Sequence, residues 1–206
     1  MLKVWGRPNS INVQKVMWAV GELGLEHERI DVGGQFGGLD TPEYGALNPN
    51  RLVPTVEDGD VVVWESNACV RYLAARYGRG TLWPEDPAVR AGADPWTDWQ
   101  LTRLLPEMTV IFWGLIRIPE DQRDYDAINK AIARVGDVWR ILDHHLASRL
   151  FVAGDRFTMG DIPVGAMCYR YHELPIERPK LPNLESWYGR LRERAPYRTH
   201  VMLPLS

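Results

Sequence analysis

Alternating, β-branched runs are confined to the first 64 of 206 residues, and helical patterns fill most of the remaining chain. Whatever forms must therefore join a small sheet to a larger helical body. Leu2 to Trp5 reads as a short strand, with Gly6, Arg7, Pro8 and Asn9 as the loop after it. Val13, Val16, Met17, Val20 and Leu23 recur at helical spacing, and Gly24 suits the left-handed residue that closes a helix. Arg29–Val32 supplies a second strand. Gly33-Gly34-Gln35-Phe36-Gly37-Gly38 is too rich in glycine for a regular element, and reads as a loop leading to an irregular helix. Val53–Val56 and Val61–Trp64 flank Glu57-Asp58-Gly59-Asp60, whose Asp-Gly pair is a hairpin signal. After Ser66, Cys69, Leu73 and Tyr77 recur at every fourth position, and Gly78 ends that helix. Strand-helix-strand implies a parallel pair and the hairpin adds antiparallel strands, so residues 1–78 form an α/β unit with a mixed four-stranded sheet.

Residues 79–87 read as a linker and 88–206 as an all-helical unit. Helical patterns cover 88–116, 124–148, 158–172 and 183–195, interrupted at Pro119, Gly154 and Pro175–Pro182. Thr158-Met159-Gly160-Asp161 is a helix-start signature: the Thr158 hydroxyl can accept an amide three residues on while Asp161 reaches back, with Phe157 and Ile162 placed as a hydrophobic staple. Lys plus Arg number 24 against 27 Asp plus Glu, a net charge of −3 with no basic concentration, which argues against a nucleic-acid partner. No apolar run approaches the ~20 residues of a membrane span. The opening MLKVWGRPNS lacks a signal peptide's apolar core. Two cysteines, Cys69 and Cys168, make neither a disulfide framework nor a four-ligand zinc site, so a reducing, cytoplasmic setting is expected.

Three places can carry chemistry. Ser10 falls between the first strand and the first helix; its hydroxyl either caps that helix or donates to an anion held at its N-terminus. In Val53-Pro54 the proline has no amide, but an extended Val53 can offer both of its backbone groups to a peptide-like ligand. Ser66 opens the third helix and makes a carboxylate pocket with nearby amides, while Glu65 can pair with an ammonium group. Ser66 as a plain cap and Glu65 as a solvated acid are the simpler alternatives. No histidine has a carboxylate partner at a recognisable spacing, so a hydrolase triad is unsupported. His144-His145 point in different directions along a helix, and no metal is expected.

The order and spacing of several segments make the chain resemble the soluble glutathione S-transferase superfamily along essentially its whole length. These are Gly6–Asn12 with Lys15-Val16, Glu22–Leu25, Asn48-Pro49 to Val53-Pro54-Thr55, Glu57-Asp58-Gly59, Trp64–Ala68, Tyr72-Leu73, Phe151–Asp155, Phe157-Thr158, Asp161-Ile162 and Pro182-Asn183-Leu184. The first loop is most similar to serine-type classes such as theta and phi, and bacterial members are the nearest in kind. The resemblance implies a thioredoxin-like domain followed by a helical bundle, glutathione as co-substrate without a metal, and a homodimer. It implies that Val53, followed by a cis bond to Pro54, pairs with the cysteinyl backbone and that Glu65 and Ser66 hold the γ-glutamyl end. Ser10 takes the place of the catalytic serine, with Asn12 a second contact near the sulfur.

A free thiol with a pKa of ~8.5 is only slightly ionised at neutral pH. A Ser10 hydroxyl and a helix N-terminus aimed at the sulfur lower that pKa and supply thiolate to a small apolar electrophile, or to a peroxide. Within the long helices, Trp96, Trp99, Met108, Phe112 and Trp113 offer aromatic and thioether surface, and Met108 and Phe112 are the expected pocket residues. Two features depart from the family pattern. Arg51 stands where glycine is usual, and Gln35–Leu39 contains no basic residue for the glycyl carboxylate, so Arg51 or Gln35 is expected to share that role. Neither cysteine is near position 10, which argues against the cysteine-type classes. Asn9-Ser10-Ile11 lacks the Ser-Ser-Cys signature of the maleylacetoacetate isomerase branch. The competing expectation is a non-enzymatic binding or protein-association module on the same fold.

Overall fold

The structure, a computed structural model, describes residues 1–206. β1 (Leu2–Trp5), α1 (Ile11–Glu22), β2 (His27–Ile30), α2 (Pro42–Leu47), β3 (Thr55–Asp58), β4 (Val61–Trp64) and α3 (Ser66–Tyr77) form the first layer set. The sheet order is β2-β1-β3-β4, with β1 parallel to β2 and antiparallel to β3, and β3–β4 form the expected hairpin, its two-residue turn being Gly59-Asp60. This is the thioredoxin-like arrangement. Gly24 has φ +62° and closes α1 as expected. β2 begins two residues earlier than its sequence pattern suggests, because pairing of Leu2 with His27 and Trp5 with Ile30 sets its bounds. Tyr77 does not share the buried face of α3: Cys69 and Leu73 are fully buried, but Tyr77 is 42% exposed and its hydroxyl donates to Asp58.

The helical part comprises α4 (Pro87–Trp99), α5 (Leu105–Phe112), α6 (Tyr125–Leu146), α7 (Asp161–Glu173), α8 (Pro182–Arg192) and α9 (Ala195–His200). Wider π-helical turns at Gln100–Leu104 and Trp113–Arg117 follow α4 and α5; Pro95 lies inside α4 and Pro106 in the first turn of α5. α9 lies beyond the last helical pattern, which ends at 195; Pro196 falls in its first turn, where a missing amide costs nothing.

One continuous core spans both parts, and α1 is its hinge pin. Trp18 is fully buried, with ring centroids 5.3 Å from Phe157 and 4.5 Å from Tyr197. A Cβ on Gly165 would lie 2.8 Å from the Trp18 ring, so glycine there lets α7 approach α1. Arg194 binds Glu22 through two bonds of 2.7 and 2.6 Å. These contacts fix the helical bundle beside the sheet and leave the α1 and α3 N-termini on one side of it.

Helix α7 starts differently from its signature. Asp161 is the first helical residue and Gly160 the cap. Asp161 does reach back to the Thr158 amide at 2.9 Å, but the Thr158 hydroxyl, instead of capping an amide, donates to Asp161 at 3.3 Å.

Candidate glutathione site

Glycine at position 6 is required by space. Its φ is +149°, and a Cβ there would meet Val13 at 2.4 Å and the Val53 Cβ at 3.2 Å. The loop after β1 thus passes directly between α1 and the Val53 turn. Ser10 is the N-cap of α1 by backbone geometry, its carbonyl accepting from the Gln14 amide at 2.9 Å, but its side chain makes no capping bond. The half-buried hydroxyl is left to donate elsewhere.

The Val53-Pro54 peptide is cis. Leu52 has its carbonyl occupied by Tyr44 and Asn48, whereas neither backbone group of Val53 has a partner in the chain. A half-buried residue with both ladder groups open can accept an added strand-like ligand.

β4 enters α3 through Glu65, whose φ of +67° is uncommon for a residue with a side chain. Glu65 is exposed; Ser66 behind it is buried. The Ser66 hydroxyl donates to the Asn12 side chain at 3.2 Å and accepts from Lys15 at 3.4 Å. Lys15 also donates to Asn67 at 3.2 Å and to Gln100 at 2.8 Å, and Asn67 donates to the Thr97 carbonyl at 2.6 Å. Asn12, Ser66, Lys15, Asn67 and Gln100 form one network joining α1, α3 and the helical bundle. Asn12 is therefore brought to Ser66, with its side-chain oxygen already engaged there.

Sequence reasoning assigns Lys15, Asn67 and Gln100 no site role. The available signal is a lysine at position 15 in a run where every residue from 13 to 20 is buried. Lys15 is completely buried without an acidic partner in contact, and burial, with Arg170 adding to it, pulls its pKa down to about 7 against the opposing pull of Glu65. Below about pH 7 the lysine is protonated folded or unfolded; between there and 10.5 only the unfolded chain holds the proton. Stability therefore rises with pH across that window. Between pH 7 and 9 the native chain should gain about 2 kcal/mol relative to Lys15→Met in urea unfolding. A constant difference between the two proteins across that range would contradict the assignment.

Arg51 has φ +52°, which accounts for glycine being usual there, and its guanidinium donates to the Leu39 and Thr41 carbonyls at 2.9 and 2.8 Å. It braces the approach to α2. Gln35 is exposed in a short 3-10 turn, and Arg7 packs against its neighbour Gly34. Met108 and Phe112 are 1% and 4% exposed, both within the core. The Phe112 ring is covered by Arg170, whose guanidinium carbon lies 3.8 Å from the centroid. His145 bonds the Val152 carbonyl at 2.7 Å and packs on Trp96, and no group of three or more His, Cys, Asp or Glu is placed to hold a metal. The Cys69 thiol, buried and donating to the Val63 carbonyl, is pushed up to about 12. A cleft of about 510 Å³ lined by Thr81, Asp86, Val89, Arg156 and Thr158 contains none of these site residues. No helix is long and apolar enough to cross a membrane.

Set beside known proteins, the chain is matched by family models described as "Glutathione S-transferase, N-terminal domain" over residues 1–75 and "Glutathione S-transferase, C-terminal domain" over residues 125–190. The chain belongs to the glutathione S-transferase family. It is 40% identical to glutathione S-transferase GstB of Escherichia coli (strain K12), covering all of both chains. It is 28% identical to glutathione S-transferase 3 of Zea mays, over 99% of this chain and 95% of that one. Among solved structures, the theta class glutathione S-transferase of Xanthomonas axonopodis pv. citri with glutathione bound superposes with a TM-score of 0.96. Identity there is 48%, covering 100% of this chain and 99% of that one.

Proposed function

We propose that this chain is a glutathione transferase in which Ser10 stabilises the glutathione thiolate for attack on a small electrophile. The observation that carries this reading is the pairing, across Gly6, of an unengaged Ser10 hydroxyl with a Val53 whose two backbone groups are free. Val53 takes the cysteinyl backbone of the tripeptide. That sets the sulfur toward Ser10, where the hydroxyl and the N-terminal amides of α1 favour negative charge. Pro54 holds the Val53 turn in its cis form. Glu65 receives the γ-glutamyl ammonium group, and Ser66 with the first amides of α3 receives its carboxylate. Asn12 is a contact close to the sulfur and steadies Ser66 through their shared hydrogen bond.

The thiol gives its proton to solvent, and its sulfur pair forms the bond to carbon while the displaced group, halide in an aryl halide, leaves with the pair of the broken bond, so no enzyme-bound covalent intermediate is needed. At the glycyl end, Arg51 and Gln35 are the available polar groups; one Arg51 nitrogen is already committed to Leu39 and Thr41. Arg51→Ala is expected to raise the KM for glutathione roughly fivefold to tenfold with kcat little changed, as for loss of one partly exposed charged contact. An unchanged KM would remove Arg51 from the site.

Two copies of the chain form the working enzyme in this proposal. Leu52 is 61% exposed, and edge strand β4 leaves Val61, Val62 and Trp64 about 40% exposed, as suits a face covered by a partner. Sedimentation equilibrium reads this directly. The expected location is the cytoplasm, in keeping with two free, buried cysteines. Turnover of a generic aryl halide with glutathione tests the activity; binding of glutathione without turnover would select the non-enzymatic alternative.

A further inference from the structure

Three arginines with no Asp or Glu side chain paired to them lie in and around the Ser10 loop. Arg170 on α7 lies 3.8 Å from the centroid of Phe112, and Arg117 reaches the same ring at 5.7 Å. Arg7 belongs to the loop itself, its carbonyl accepting from the Ser10 amide at 3.3 Å. Arg117 donates to the main-chain oxygen of Ser206, whose hydroxyl accepts from Asn9 at 2.8 Å, so the residue preceding Ser10 is tied to the same cluster. None of the three pairs with an Asp or Glu side chain. Burial, then Arg117 and Arg7, draws the Arg170 pKa down to about 10, and Arg170 in turn depresses Lys15 beneath Ser66. Like charges collected in a half-dry place work against folding unless something of opposite sign belongs there.

We infer that the electrophile is itself an anion, whose carboxylate is received by Arg170, Arg117 and Arg7 while its reactive carbon faces the sulfur held at Ser10. This rests on the transferase reading and replaces the expectation of a purely apolar second substrate. Phe112 then serves as a platform for the Arg170 guanidinium, whose planar fork suits a carboxylate. With a halogenated carboxylate the thiolate pair forms the S–C bond, and the carbon–halogen bond breaks with its pair leaving on halide. The carboxylate is untouched and stays on the arginines.

The test compares a chloronitrobenzoate with its methyl ester, each rate divided by the uncatalysed rate with glutathione at the same pH. The acid is expected to be favoured by roughly tenfold or more, the scale of one charge-assisted contact. Arg170→Met should collapse the acid-to-ester ratio about tenfold while Arg170→Lys retains part of it. Arg117→Met, at an exposed position, gives the same reading should the α7 variant fold poorly. A native enzyme that prefers the ester, or a ratio unmoved by either variant, overturns the anion assignment and leaves the transferase reading standing. Turnover of neither compound overturns the transferase reading and the assignment with it.

Discussion

Asp161→Ala is expected to lower the melting temperature by roughly 10–15 °C, the largest single loss in the molecule. Asp161 is fully buried, and its two oxygens accept from the Val152 amide at 3.0 Å, the Trp187 indole at 3.0 Å, the Thr158 amide at 2.9 Å and the Thr158 hydroxyl at 3.3 Å. One carboxylate thereby ties the loop before α7, the start of α7 and the buried indole of α8. Removing it strands several buried donors, at about 1–3 kcal/mol each before relaxation, for a net of about 4 kcal/mol. Burial pushes its pKa up to about 6 even against those four donated bonds, which shows how deep the site is. Asp161→Asn keeps one acceptor oxygen but turns an amide group toward donors, and should lose about half as much. Differential scanning calorimetry reads both. A shift below about 3 °C for the alanine variant would mean that the surrounding groups find other partners.

Ser10→Ala should do the opposite: leave the melting temperature within about 2 °C of the native value while lowering kcat/KM roughly 8–25-fold at neutral pH. An ordinary N-cap serine is worth about 1 kcal/mol through its side-chain bond. Ser10 makes no such bond, so its deletion removes little from the folded chain. Its effect appears when a sulfur anion is present to receive the hydroxyl. At pH 7, returning the bound thiol from about one or two units below ~8.5 to that value cuts the thiolate population roughly 8-fold or 25-fold. The variant should recover rate as pH rises, because hydroxide then supplies the ionisation that the serine no longer favours. A variant that lost stability and kept its rate would make Ser10 a cap after all.

The parts of the fold that are legible in advance are those set by neighbours in sequence. Gly59, with φ +61°, turns the hairpin after Asp58, Gly24 closes α1, and the order of strands and helices in the first 78 residues follows from local pattern and the handedness of crossovers. The bounds of β2 depend on register with β1, and α9 on packing of Pro196 against Gly21; both are tertiary facts. The site divides the same way. Ser10, Val53 and Ser66 stand at loop-to-element junctions, where backbone groups are free by construction. Lys15 and Arg170 lie within helices, where a cation ordinarily marks the solvent side. What makes Lys15 internal is Gln100, 85 residues away, and what holds Arg170 inward is the Phe112 ring on another helix. No spacing rule connects such positions.

The most direct measurement is the titration of glutathione's thiol in its complex with the protein, followed by the ultraviolet absorbance of the thiolate. In the native chain the midpoint should fall one to two units below the ~8.5 of a free thiol, and in Ser10→Ala it should return to within about half a unit of that value. A native complex whose thiol titrates like the free tripeptide, with catalysis intact, would contradict thiolate stabilisation by Ser10.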